Sequence, residues 1–360
     1  MLRRRALLLG ALAWGGPAAA LPARRLVFPR DHGSHPDLRT EWWYLTGQAR
    51  TGRAADRLWG FQITFFRTRV EATQGLRSAF AARQLIFAHA ALTDLQGHHQ
   101  LHDQRIARAG FGIAQTAEDD TNIHLRDWSL VRRPSSAPGH SRYDIRAQAD
   151  GFALELSCTS TQPLLLQGEA GLSRKGPDAS QASYYYSQPQ LAVAGAIALG
   201  EHRMAVATGR AWLDHEWSEA LMAPDAVGWD WIGMNLDDGT ALTAFQLRRE
   251  DGSALWAGGS WRPAGIPGAQ SFGPDAVRFT PLRRWRSPGS GALYPVDWQV
   301  DTPAGRFSVQ ALLDAQELDS RGSTGAIYWE GLSLLRDAAG RELGRGYLEM
   351  TGYAQRLRLG

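Results

Sequence analysis

The chain has 360 residues, 44% apolar and 21% charged, which is enough to bury two folded cores and too apolar and mixed for disorder. Without Arg3, Arg4 and Arg5 the basic residues fall to the 36 of the acidic ones, which excludes the global positive field that phosphate-backbone binding needs. The one cysteine, Cys158, excludes an internal disulfide, and no stretch after residue 20 reaches the ~18 apolar residues of a membrane span.

The first segment, 1–20, has the parts of a secretory signal: basic Arg3-Arg4-Arg5, an apolar stretch, and Ala18-Ala19-Ala20 before a cut. Paired arginines allow the twin-arginine route as well as the general one. Either implies a mature protein in the periplasm or outside the cell. Next comes Asp31-His32-Gly33-Ser34-His35-Pro36, leading into Glu41-Trp42-Trp43-Tyr44. It concentrates metal-ligand types, but Gly33 and Pro36 separate the histidines and no zinc spacing results. The expectation is a hydrogen-bonded loop closing a barrel mouth, with no metal and no cofactor.

From there period-two alternation dominates. Over 59–68, Phe61, Ile63 and Phe65 share one face and Gln62, Thr64 and Phe66 the other. Similar runs span 122–131, 143–159, 191–199, 204–213, 240–248, 296–301 and 307–313. Asp150-Gly151, Asp238-Gly239 and Asp251-Gly252 mark hairpin turns. Arg283-Arg284-Trp285-Arg286 reads as a solvated strand end. Roughly eight short strands per half, without long helical periods, predict an all-β chain of antiparallel barrels, though a sandwich uses similar strands.

Three internal echoes support two β units. Trp42-Trp43-Tyr44-Leu45 matches Trp229-Asp230-Trp231-Ile232, Phe61-Gln62-Ile63 matches Phe245-Gln246-Leu247, and 185–209 matches 328–352. The predicted domains are 21–218 and 219–360, joined between Leu213 and Gly228. At that join lies Trp212-Leu213-Asp214-His215-Glu216-Trp217-Ser218. In a strand, His215 and Trp217 share a face and point together into a cavity, opposite Asp214 and Glu216. Asp230, between Trp229 and Trp231, is expected to meet His215 there. An inter-domain packing hub is the alternative. No Gly-x-Ser-x-Gly elbow, His-Glu-x-x-His, P-loop or dinucleotide fingerprint occurs.

The opening Asp31–Pro36 phrase, 41–47, Leu166-Gln167-Gly168 with 183–187, 212–218 and 346–353 together resemble the AttH-like, carotenoid 1,2-hydratase (hydroxyneurosporene synthase) family, over about 27–353. The resemblance implies two tandem lipocalin-like barrels and, with the export signal, the secreted branch. It implies an isoprenoid or lipid-like ligand and hydration of a carbon–carbon double bond, with His215 and Trp217 as motif-matched site residues. Such chemistry needs a protonated carboxylic acid and aromatic faces for the carbocation. Asp230 is the expected acid, with Asp214 or Glu216 instead if the strand register is opposite. Trp43, Tyr185, Trp212, Trp229 and Trp231 are the expected ligand-lining residues. The rival reading is a non-catalytic lipid carrier working beside a membrane transporter. A hydrolase using the same histidines and carboxylates is a third.

Overall fold

The computed structural model describes residues 20–135 and 139–357; the expected export signal lies outside them save for Ala20. The first sheet holds β1 (Thr40–Thr51), β2 (Arg57–Arg69), β3 (Gln84–Asp94), β4 (His99–Arg108), β5 (Ala114–Thr116), β6 (Asn122–Leu125), β7 (Trp128–Pro134), β8 (Ser141–Gln148), β9 (Phe152–Ser160), β10 (Leu165–Leu166), β11 (Leu172–Arg174), β12 (Ala182–Leu199) and β13 (His202–Ser218). The second holds β14 (Gly228–Leu236), β15 (Ala241–Arg248), β16 (Ala254–Arg262), β17 (Gln270–Phe272), β18 (Arg278–Arg286), β19 (Leu293–Thr302), β20 (Gly305–Ala311), β21 (Glu317–Ser320), β22 (Ala326–Asp337) and β23 (Glu342–Met350). Strands beyond the expected eight per half are mostly two to four residues long, too short to show alternation in sequence. Gly151, Gly239 and Gly252 take φ of +80°, +94° and +83°, as the Asp-Gly hairpin turns require.

All ladders are antiparallel, in the orders β4-β3-β2-β1-β13-β12-β9-β8-β7-β6-β5 and β17-β16-β15-β14-β23-β22-β20-β19-β18. Each sheet curls until its two ends share one core. Ile86 of β3 packs in a cluster with Leu125 of β6, and Phe272 of β17 in one with Phe279 of β18. The fold is all-β, two tandem lipocalin-like barrels.

In both sheets the first strand pairs with the last: β1 with β13, and β14 with β23. The barrels pack back to back through these equivalent strands and their neighbours. Tyr44 and Trp212 of one barrel join Trp231, Phe245, Leu332 and Tyr347 of the other in a core of their own. Gly60 permits the approach, since a Cβ there would sit 2.9 Å from Tyr347 Oη and 3.1 Å from Leu332 Cβ.

The first and third echoes fall on equivalent strands with matching faces: Trp42 and Trp229 line the seam, as do Tyr185 and Tyr328. The second falls on equivalent strands, β2 and β15, with faces exchanged. Phe61 and Ile63 enter the first barrel's core, whereas Phe245 and Leu247 face the seam. An odd difference between the echo offsets reverses a period-two face.

Candidate functional site at the seam

Alternation along β13 sends Leu213, His215 and Trp217 into the N-terminal barrel and Trp212, Asp214 and Glu216 toward the seam. Along β14, Trp229 and Trp231 face the seam, while Asp230 turns into the C-terminal barrel with Ile232. His215 and Asp230 therefore do not meet. His215 lies against Glu41, Tyr186, Trp43 and Trp217. Asp230 is bound by Gln246, Tyr353 and the Arg248 guanidinium at 2.8, 2.9 and 2.9 Å. Burial pushes its carboxyl up against those partners. Of the expected lining residues, Tyr185, Trp212, Trp229 and Trp231 reach the seam and Trp43 lies inside the barrel.

The seam encloses a cavity of about 110 Å³. A second groove of about 460 Å³ shares Leu221, Met222 and Leu357 with it, so the segment between the sheets and the segment after β23 form a common rim. Aromatic faces of Trp42, Tyr44, Phe66, Trp229, Trp231 and Phe245 form much of the inner wall. Set among them are four carboxyls, Asp214, Glu216, Glu330 and Glu349, and the sole lysine, Lys175. Lys175 Nζ pairs with Glu216 at 3.0 Å and lies 4.6 and 4.5 Å from the ring centroids of Tyr185 and Phe245.

The other carboxyls are held uncharged to different degrees. Burial pushes Asp214 up to about 7, although Tyr185 Oη and Trp212 Nε1 each donate to it at 2.7 Å and Ser187 donates as well. Glu330 and Glu349 stand directly opposite one another on β22 and β23. Burial first and Glu349's charge second hold Glu330 well above the carboxylate range, and burial takes Glu349 to about 7. Glu330 Oε1 and Tyr44 Oη, both buried on the cavity wall, face one another without a well-formed hydrogen bond. A buried polar group left wholly unsatisfied costs about 1–3 kcal/mol, and a bound polar group or water would recover whatever part of that this poor pairing leaves.

Sequence reading missed Glu330, Glu349 and Lys175. Glu349 lies within the 346–353 phrase and Glu330 two residues past Tyr328 in the third echo, so the echoes pointed to this wall without naming its acids.

Inside the N-terminal barrel, the Asp31–His35 loop is buried and hydrogen-bonded, as the sequence suggested. Glu41 accepts from His35 Nδ1 at 2.7 Å, Arg67 Nε at 2.8 Å and His215 Nε2 at 3.0 Å. His35 Nε2 lies 3.0 Å from Asp31 Oδ1, and Tyr186 Oη bridges His32 and His215. Burial lowers His215 to about 4, so near neutrality it donates from one nitrogen and accepts at the other. His35, Glu41 and His215 are the grouping of metal-ligand types among the described residues, and they bond to one another. Burial opposes ionisation of Glu41, but its histidine and arginine partners hold it well below the carboxylate range.

These shifts fix a pH profile. Asp214, Glu330 and Glu349 bind protons more tightly folded than unfolded, so their stabilisation is full below about pH 4 and is lost as pH rises, through about 7 for Asp214 and Glu349 and through the raised range of Glu330. Glu41 runs the other way, losing its contribution in strong acid. The carboxyl contribution to the thermal midpoint is expected to fall as pH rises from about 4 to about 7 and, for Glu330, beyond, and a Glu330→Gln/Glu349→Gln variant to flatten that fall. Unchanged alkaline sensitivity in a calorimetric series would contradict the assignment.

Comparison with known proteins accords with this architecture. A putative AttH from Nitrosomonas europaea is 47% identical, with a TM-score of 0.85 over 94% of this chain and 100% of its own. Kievitone hydratase from Nectria haematococca shares the fold at 14% identity, TM-score 0.62, over 87% and 89%. CghA, solved with Sch210972, does so at 12% identity, TM-score 0.57, over 90% of each chain. No curated protein matches by sequence. The AttH-like family pattern matches residues 19–353, nearly the whole of the two barrels and the seam between them, and the chain belongs to that family.

Proposed function

We propose that the chain is an exported hydratase that takes the end of a long apolar ligand, an isoprenoid or other lipid, into the seam cavity and adds water across a carbon–carbon double bond. The observation that carries the reading is the buried Glu330–Glu349 pair, with a Glu330 oxygen, on an aromatic wall, that lacks a well-formed hydrogen bond. An unactivated alkene needs a proton donor that is still protonated at neutral pH and held against the double bond, and a desolvated carboxyl beside a like-charged neighbour keeps its proton there. Glu330 protonates one alkene carbon. Faces of Tyr44, Trp229 and Trp231 stabilise the resulting cation by about 0.5–2 kcal/mol each. Water then attacks, and its surplus proton returns to the carboxylate pair. Asp214 suits this role less, because three donors already occupy its oxygens.

The dimensions favour a chain end. The inner cavity is smaller than the ~150 Å³ that holds one benzene, so the rest of a long ligand would lie in the outer groove. The name of kievitone hydratase supports the reaction class, and the segment 1–20 supports export to the periplasm or beyond.

The test is to express the chain from Leu21, extract it with organic solvent and identify what co-purifies by mass spectrometry, with Glu330→Gln alongside. A lipid heavier by one water only from the wild type supports the hydratase. The same unmodified lipid from both assigns a carrier, which would work beside a membrane transporter, and no ligand from either overturns the apolar-ligand reading.

A further inference from the structure

We propose that one end of the N-terminal barrel is a docking surface for an anionic lipid bilayer. The loop from β2 to β3 and the loop from β4 to β5 emerge side by side, because the start of β3 pairs with the end of β4 and Ala109 N bonds Gln84 O at 2.9 Å. Their tips expose apolar side chains that a soluble surface has no reason to display together. Phe80 is 74% exposed, Phe111 56%, Leu76 50% and Ile113 42%. Of the other large exposed apolar residues, Ile266, Leu282 and Leu293 belong to the second sheet or its connections, Val27 precedes β1, and Ile106 lies on β4 itself. Phe80 and Phe111 stack at 5.6 Å, and the Arg108 guanidinium lies 4.0 Å from the Phe111 ring centroid and 5.5 Å from that of Phe80. Contiguous exposed apolar surface of this kind marks an interaction site.

Charge selects the occupant. Arg77 and Arg83 are exposed on the first loop, and Arg126 is exposed on a third, whose N–H bonds Ile113 O at 2.7 Å. The acidic residues nearby are Glu71, already paired with Arg69 at 2.6 Å, and Asp127 beside Arg126. Aromatic and aliphatic tips rimmed by arginine match the interfacial zone of a membrane, where rings sit at headgroup depth and cations are drawn to an anionic surface. The tips project from separate loops, a shape suited to penetrating between headgroups. The surface lies outside the seam and stands independently of the chemistry there.

Flotation of the chain from Leu21 with vesicles tests this. Vesicles of equal phosphatidylcholine and phosphatidylglycerol are expected to retain it at least about 10-fold better than phosphatidylcholine alone, and less so as salt rises from about 0.1 M to about 0.5 M. Phe80→Ser/Phe111→Ser is expected to lose retention on both. Arg77→Gln/Arg83→Gln is expected to lose only the preference for the anionic vesicles. Absence of wild-type binding, or equal retention of the phenylalanine variant, overturns the proposal. So does a wild-type dimer in light scattering that the same variant returns to monomer, which would assign the surface to a second copy of the chain.

Discussion

Glu330→Gln is expected to lower the hydration rate by at least about 100-fold while leaving ligand affinity within a factor of about three. Glutamine keeps the size and the hydrogen-bonding ends of the side chain but has no proton acidic enough for an alkene. The loss should fall on kcat with KM nearly unchanged, since the removed interaction forms only as the proton moves. The pH profile gives a second check. Glu330 must be protonated to act, so the rate is high at low pH and declines as the Glu330–Glu349 pair ionises, a coupled titration that begins near 7. Burial is the main reason Glu330 stays protonated, and the Glu349 charge adds to it. Glu349→Gln removes that addition, and the decline is expected to move to lower pH. Wild-type turnover in Glu330→Gln, with loss in Asp214→Asn, would move the acid to β13.

Much of the fold was legible because it rests on period-two alternation. The faces of 59–68 came out as read, with Phe61, Ile63 and Phe65 inside the barrel and Thr64 and Phe66 on the cavity wall. What one strand cannot reveal is which face meets the barrel interior and which meets a second barrel, since both are apolar and buried. Asp214 and His215 are adjacent, and so are Trp229 and Asp230, so a one-residue change of face decides which of each pair reaches the seam. The cluster at the join was therefore visible as a place, while its membership was not. Glu330 and Glu349 enter only through the pairing of β22 with β23 and of β23 with β14, contacts that follow from sheet order and not from local sequence. Arg67 was silent for the same reason. On β2 it reads as an exposed charge, yet it is 1% exposed and reaches back to Glu41.

The second large effect is expected at Glu41. Glu41→Ala should destabilise the N-terminal barrel by about 3–5 kcal/mol, because it leaves Arg67 without a counter-charge and orphans donors from His35 and His215 in a closed interior. The thermal midpoint is expected to fall by about 10 °C, with Glu41→Gln recovering part of it by keeping an acceptor oxygen. His215→Gln should also lower the midpoint, since it removes a ring packed between Trp43 and Tyr186. The two roles open to His215 separate on a different readout. Its side chain leaves β13 on the face opposite Asp214, so the strand itself stands between its imidazole and the seam cavity. Folded His215→Gln is therefore expected to keep the wild-type kcat below the midpoint, and a large drop in kcat without loss of stability would instead place the reacting ligand inside the N-terminal barrel.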